Sequence, residues 1–299
     1  MAASVSSTIS SRTSTSSSTS DVPDARWTGL VRLVHPFPSL LDGLVVAAVA
    51  LVAGAEPAVA LRLGISMTAL QASIGAVNDL HDAPVDAGGK PGKPIPSGLV
   101  SVPVARGVAA GGAVLGLALA TTVDPRVAVL AVVVLVIGYG YDLIAKGTVW
   151  SWLPFAIGIP ILPVYGWLGG AGELPGFFAV LVPVTVIAGV ALAIANGRAD
   201  LERDIAAGIT SIATGLGLER SWWLHAGLWV LVVALALAWL GVEAVPVEGW
   251  IPIVMAAGLL AVGVAASRAG DPAGRERAWQ FEAVGAGVAL LAWVRAVIA

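Results

Sequence analysis

Apolar runs of about 20 residues alternate with short polar breaks along nearly the whole chain, and each run is long enough to cross a bilayer as a helix. Nine of them lie near residues 37–55, 58–79, 103–122, 126–144, 150–169, 175–198, 221–241, 249–267 and 278–298. Pro154, Pro160, Pro163 and Pro183 fall inside runs, which membrane helices accept where neighbours satisfy the freed backbone groups. The pattern predicts an all-α polytopic membrane protein. It breaks only at residues 1–25, a Ser/Thr tract with no apolar core, for which disorder is expected. The tract also lacks the apolar segment of a signal peptide. Residues 26–299 are then a single transmembrane domain.

Composition sharpens this picture. The chain of 299 residues is 58% apolar and only 12% charged, about half the charged fraction of a soluble domain. It has no cysteine, which excludes disulfides and thiolate metal sites. The net charge of −3 singles out no partner, and no nucleic acid is expected. Of the 16 Lys and Arg residues, all but Arg62, Arg126 and Arg295 fall on the side of the N-terminus and the even-numbered loops. The positive-inside rule makes that side cytoplasmic. Tryptophans near the run ends, among them Trp27, Trp150, Trp167, Trp250, Trp279 and Trp293, read as an aromatic belt.

Acidic residues cluster twice, each time at the cytoplasmic end of a run. "NDLHDAPVD" places Asn78, Asp82 and Asp86 four apart, and "NGRADLERD" repeats the spacing at Asn196, Asp200 and Asp204. The repeat implies two parallel half-bundles of about four helices each, with one helix left over. Spacing of four places side chains on one helix face. In the second copy an uninterrupted helix predicts one stripe; in the first, Pro84 predicts that Asp86 lies on a kink or in the loop. One such Asp reads as an ordinary interfacial cap, but two matched clusters point to a bound cation. The oxygen donors suit Mg²⁺, which takes one or two carboxylates and completes its shell with phosphate and water. Two facing clusters point to ions clamping a diphosphate. Lys90 and Lys93 in a Gly/Pro-rich loop, Tyr141 and Lys146 in "YGYDLIAKG", and Arg198 and Arg203 beside the second cluster are the candidate counter-cations, set against the positive-inside bias itself.

"NDLHDAPVD", "KPIPSG", "YDLIAK" and "DLERD", in this order and with "RLVHPFPSLL" at the first helix, resemble the UbiA superfamily of intramembrane prenyltransferases over residues 30–298. Lys93 stands where many members have Arg, which loses a bidentate phosphate fork. The resemblance implies nine helices around a central cavity whose mouth carries both Asp motifs, in a membrane expected to be a bacterial cell membrane. It implies that Asn78, Asp82, Asp86, Asp200 and Asp204 bind Mg²⁺ and the diphosphate of a polyprenyl diphosphate; Asn196 is added from the internal repeat. It implies that Arg32, Lys93 and Lys146 neutralise the leaving group, with Tyr141 and Arg203 beside them.

The reaction expected is ionisation of an allylic diphosphate and transfer of the prenyl group to an aromatic or other lipophilic acceptor, with the charge on the leaving group stabilised electrostatically. His81 is a base candidate by position alone. Two alternatives are a membrane terpene cyclase using the same Mg²⁺ site without an acceptor and, from another class, a membrane cation transporter. Transporter sites lie near the midplane at inverted repeats, whereas these acids lie at one interface of a parallel repeat.

Overall fold

The computed structural model describes residues 21–87, 92–268 and 270–299, with side chains from Arg26 onward. Residues 1–20 of the Ser/Thr tract, and Lys90, lie outside the described residues. All regular structure among the described residues is helical: α1 (Asp21–Leu33), α2 (Pro36–Val52), α3 (Pro57–Asp86), α4 (Val102–Thr121), α5 (Pro125–Gly140), α6 (Leu153–Ala171), α7 (Phe178–Ala199), α8 (Leu201–Ala206), α9 (Ile212–Val242), α10 (Val247–Ala266) and α11 (Pro272–Ile298), with a π turn over Tyr141–Ala145 closing α5. Proline occupies one of the first two positions of α2, α3, α4, α5, α6 and α11, where its missing N–H has no intrahelical partner to lose.

Eight of these helices are long and apolar enough to cross a bilayer; α2, with 17 residues, reaches that length only together with Arg26–Leu33, to which it is bent by 53°. The nine runs of the sequence thus correspond to α2–α7 and α9–α11. Boundaries moved where polar residues extend a helix. α3 continues past the apolar run to Asp86, and α9 begins at Ile212, with a break at Gly217 (φ 75°).

The internal repeat is visible in the packing. α3 packs along α2 and α4, α7 packs along α6 and α9, and α2 meets α6 between the halves. The extra helix, α11, packs on α10, α7 and α2 and joins the halves. Lipid provides no hydrophobic drive between helices, so close approach of small residues carries the contact. A Cβ on Gly112 would lie 2.7 Å from the Ala69 carbonyl, and one on Gly166 would lie 2.6 Å from the Val46 carbonyl. Ser66 Oγ donates to the Gly116 carbonyl at 2.7 Å and pairs with Tyr165 Oη at 2.7 Å, tying α3 to α4 and α6.

The aromatic belt needs correction at two places. Trp167 and Trp293 are buried, not interfacial: they pack edge-on with Phe177 and Phe178 in an internal cluster. Their large area is taken up by helix–helix packing, which sequence position near a run end does not reveal.

Candidate active site

The C-terminal ends of α3, α5 and α7 enclose the polar residues the sequence singled out. Asn78, Asp79 and Asp82 lie on the last turns of α3, and Asp86 is its last residue. The expected kink does not take Asp86 out of the helix. Pro84 sits in the final turn, where its absent N–H removes only one ladder bond, and the turn is held from outside by ion pairs. Lys146 Nζ bonds Asp82, and Lys93 Nζ lies 3.8 Å from Asp86 Oδ2.

Asp79, to which no role was attached, is the most buried acid of this cluster at 2% exposure. Its Oδ1 receives Lys93 Nζ at 2.6 Å and pairs with His35 Nε2 at 3.0 Å. His35 heads α2 with φ 47°, a left-handed conformation uncommon for a side chain with a Cβ. Arg32 donates to the Gly92 carbonyl at 3.2 Å, so it holds the loop that carries Lys93.

The Tyr-to-Lys motif forms a π turn, in which the Lys146 N–H bonds the Tyr141 carbonyl at 2.8 Å, five residues back. Single π turns insert one residue into a helix and recur at functional sites. Here the turn brings Tyr141 and Asp142 to the cavity wall while Lys146 reaches Asp82. Asp142 is buried and was missed: Asn78 Nδ2 donates to its Oδ1 at 2.7 Å, while its Oδ2 takes no hydrogen bond from the described residues. The signal was present, since Asp142 lies within the quoted "YDLIAK".

The second cluster departs from expectation. Asn196, Asp200 and Asp204 are not on one continuous helix, because α7 stops at Ala199 and α8 starts at Leu201, with Asp200 non-helical between them (φ −101°, ψ 4°). The cause is tertiary. Arg275 of α11 is 2% exposed; its Nε donates at 2.7 Å to the Arg198 carbonyl, the acceptor a continuing helix would offer to the Glu202 N–H. Its Nη2 bonds the Glu202 carboxylate, and its Nη1 bonds the Gly270 carbonyl at 2.7 Å. One side chain thus holds the backbone before Asp200 and the Glu202 side chain after it.

Arg198 is itself buried at 1% exposure and spends its guanidinium on the Leu218 carbonyl, Ser221 Oγ (2.9 Å) and the Ser267 carbonyl (2.9 Å). It is a structural strut and offers nothing to a phosphate. Arg203 is exposed and pairs with Asp200. His81 is exposed.

The clusters share one mouth. The carboxylates of Asp142, Asp200, Asp82 and Asp204 all lie within electrostatic reach of the Tyr141 hydroxyl. Beneath it opens a cavity of about 250 Å³ lined by α2, α3, α5, α6, α7 and α11, with Asn78 and Asn196 in its wall. Tyr141 and Phe155 pack edge to face there at 5.7 Å, and Trp279 packs on Phe37 at 5.8 Å.

The donor set is all oxygen, with an orphaned carboxylate oxygen on Asp142. Among the described residues, no three His, Cys, Asp or Glu side chains group tightly enough to hold a metal by themselves. That arrangement suits Mg²⁺ shared between one or two carboxylates and a phosphate ligand, and does not suit a cation enclosed by protein alone.

Comparison with known proteins agrees with this architecture. The profile of the UbiA prenyltransferase family matches residues 40–291. Digeranylgeranylglyceryl phosphate synthase of Methanopyrus kandleri is 30% identical over 192 residues, covering 62% of this chain and 69% of that protein. Chlorophyll synthase of Oryza sativa is 31% identical over 163 residues, covering 50% of this chain but only 43% of that protein. Among solved structures, a UbiA homolog from Archaeoglobus fulgidus bound to DMAPP and Mg²⁺ superposes with a TM-score of 0.70 at 21% identity, covering 90% of this chain and 98% of that one. One from Aeropyrum pernix superposes with a TM-score of 0.67 at 20% identity, covering 86% and 98%.

Proposed function

The chain belongs to the UbiA prenyltransferase family, and on that premise we propose that it binds a polyprenyl diphosphate with Mg²⁺ at the shared mouth and transfers the prenyl group to an acceptor held in the cavity. One observation carries the reading: carboxylates from both halves lie within electrostatic reach of Tyr141 above a cavity with aromatic walls, and Lys93 and Lys146 pair with the acids of α3.

Asn78, Asp82, Asp86, Asn196, Asp200 and Asp204 are the residues that would hold Mg²⁺, which would supply positive charge to offset that of the leaving group. Lys93 and Lys146 now sit on Asp79, Asp86 and Asp82. With Mg²⁺ on those carboxylates, the ammonium groups of Lys93 and Lys146 would be free to pair with phosphate oxygens. Arg32 fixes the Lys93 loop, and Arg203 stands at the rim beside Asp200. The C1–O bond of the substrate then breaks, with its electron pair leaving on the diphosphate. Fixed positive charge near that oxygen lowers the barrier because it need not reorganise during the step. The allylic cation left behind faces the Tyr141 and Phe155 rings, whose π faces attract positive charge, and the enclosed cavity limits capture by water. The acceptor nucleophile forms the new bond to C1 and releases its proton. The mouth faces the cytoplasm by the distribution of Lys and Arg.

The test is diphosphate release from dimethylallyl, geranyl and geranylgeranyl diphosphates by purified protein, with and without Mg²⁺. Release should require Mg²⁺ and should be lost in Asp82→Ala and Asp200→Ala. Unchanged release in both variants would refute the assignment. Cyclised hydrocarbon formed from prenyl diphosphate alone would replace the transferase with a cyclase on the same site.

A further inference from the structure

The mouth does not explain the floor of the cavity. Asp42 of α2 and Gln71 of α3 line it and face each other, with Gln71 Nε2 donating to Asp42 Oδ2 at 2.6 Å. Gln71 lies seven residues before Asn78 on α3, which at helical rise places it about 10 Å deeper than the mouth. The wall around the pair is apolar: Ile74, Val134, Ile137, Phe155, Ile159 and Leu162. A carboxyl at that depth is costly unless it serves a ligand or a pathway, and a hydrocarbon tail gains nothing from it.

The direction of the hydrogen bond sets what the ligand must offer. Gln71 turns its amide nitrogen to the acid. That leaves Asp42 Oδ1 and Gln71 Oε1 with no partner among the described residues, and both are acceptors. Neither Lys nor Arg lines the cavity, and the imidazole of His35, at its rim, is already on Asp79. A ligand with hydroxyl donors is satisfied there. A carboxylate-bearing ligand finds no cation there to balance it, and burying an unpaired charge against an apolar wall is costly.

We propose that Asp42 and Gln71 form the acceptor subsite and select a neutral, hydroxyl-bearing ring over an anionic one. The proposal rests on the prenyltransferase reading and names the chemistry of its second substrate. The rings of Tyr141, Phe155 and Trp279 line the same space, and the donor-seeking pair supplies polar recognition there. A site built to hydrogen-bond a ligand hydroxyl discriminates strongly, because its own polar groups are left unpaired by the wrong ligand.

A matched pair of acceptors tests this: 4-hydroxybenzyl alcohol and 4-hydroxybenzoate share a phenol and differ in charge at the opposite end of the ring. Full-length protein in lipid nanodiscs is supplied with Mg²⁺, prenyl diphosphate and either acceptor, and prenylated product is quantified by mass. The neutral acceptor should be favoured in kcat/KM by about tenfold or more. Asp42→Asn should bring the ratio close to one, and Gln71→Leu should raise the KM of the neutral acceptor by about tenfold. The proposal is overturned if 4-hydroxybenzoate is used equally well, or if Asp42→Asn and Gln71→Leu both fold and keep the wild-type preference. It also falls if neither compound is prenylated while Mg²⁺-dependent diphosphate release persists. Absence of any such release from wild type would instead sink the prenyltransferase reading.

Discussion

Replacing Arg275 by Met tests the tertiary origin of the break at Asp200. The methionine keeps most of the buried stem but removes the guanidinium, and with it the bonds to the carbonyls of Arg198 and Gly270 and to the Glu202 carboxylate. Bonds from a charged donor are worth about 1.5–3 kcal/mol each. The Glu202 pair counts for little, since that carboxylate is 54% exposed. Two bonds to backbone carbonyls remain, roughly 3–6 kcal/mol gross. Two effects offset this. A buried guanidinium is costly to desolvate, and the freed Arg198 carbonyl recovers about 1 kcal/mol by accepting the Glu202 N–H as α7 runs on into α8. The net loss is about 2–4 kcal/mol, which corresponds to a drop in Tm of roughly 5–12 °C for a chain of this size. Once the helix is continuous, Asp200 moves toward the face of Asp204, so the Mg²⁺ concentration for half-maximal diphosphate release should rise by about tenfold. Arg275→Lys, which keeps one donor to a carbonyl, should fall between. Thermal unfolding in detergent and Mg²⁺ titration of release measure the two effects. An Arg275→Met protein that melts within about 2 °C of wild type, with unchanged Mg²⁺ dependence, would show that the break at Asp200 is set locally and that the reasoning is wrong.

Lys146→Met should lower diphosphate release by about a hundredfold at saturating prenyl diphosphate, because it removes a fixed charge from the leaving group; a loss under threefold in a kinetic assay would exclude that role. Gly263→Ala should destabilise the α10–α11 contact by about 1–3 kcal/mol, since its Cβ would lie 2.6 Å from Glu282 Cγ, whereas Gly107→Ala, facing open space, should not; parallel melting curves decide between them. At the exposed start of α5, a side-chain hydrogen bond from Arg126, then the Arg126 backbone N–H, holds the Asp124 carboxyl down to about 2 from its ordinary 3.8. Its folded value is the lower one, so its stabilisation is complete above about pH 4 and disappears as pH falls through 2. Asp124→Ala should therefore cost roughly 1 kcal/mol at pH 7 and clearly less near pH 2, read from denaturation at the two pH values.

Hydrophobic length and the repeated Asn-Asp-Asp spacing were enough to place the helices and to nominate both clusters, because bilayer thickness and helical rise act on each segment separately. The nine runs reappear as helices, and Asn78, Asp82, Asn196 and Asp200 stand at the expected ends. Local rules failed where a distant residue overrode them. Pro84 stays helical because Lys93 and Lys146 pair with the acids around it. The second motif breaks without proline or glycine at Asp200 because Arg275, 75 residues later, takes the carbonyl that the helix needed. Arg198 stood as a candidate counter-cation set against the positive-inside bias, and its partners at Leu218, Ser221 and Ser267 give it a structural role. Asp42 sat unremarked, since one acid in an apolar run has no periodicity to mark it, and Asp79 and Asp142 lay inside quoted motifs without a role; packing shows that Lys93 and His35 hold Asp79 and that Asp42 and Asp142 line a cavity. Segment length and spacing are properties of neighbours along the chain, while the partner of a buried charge is decided by which helices the bundle brings together.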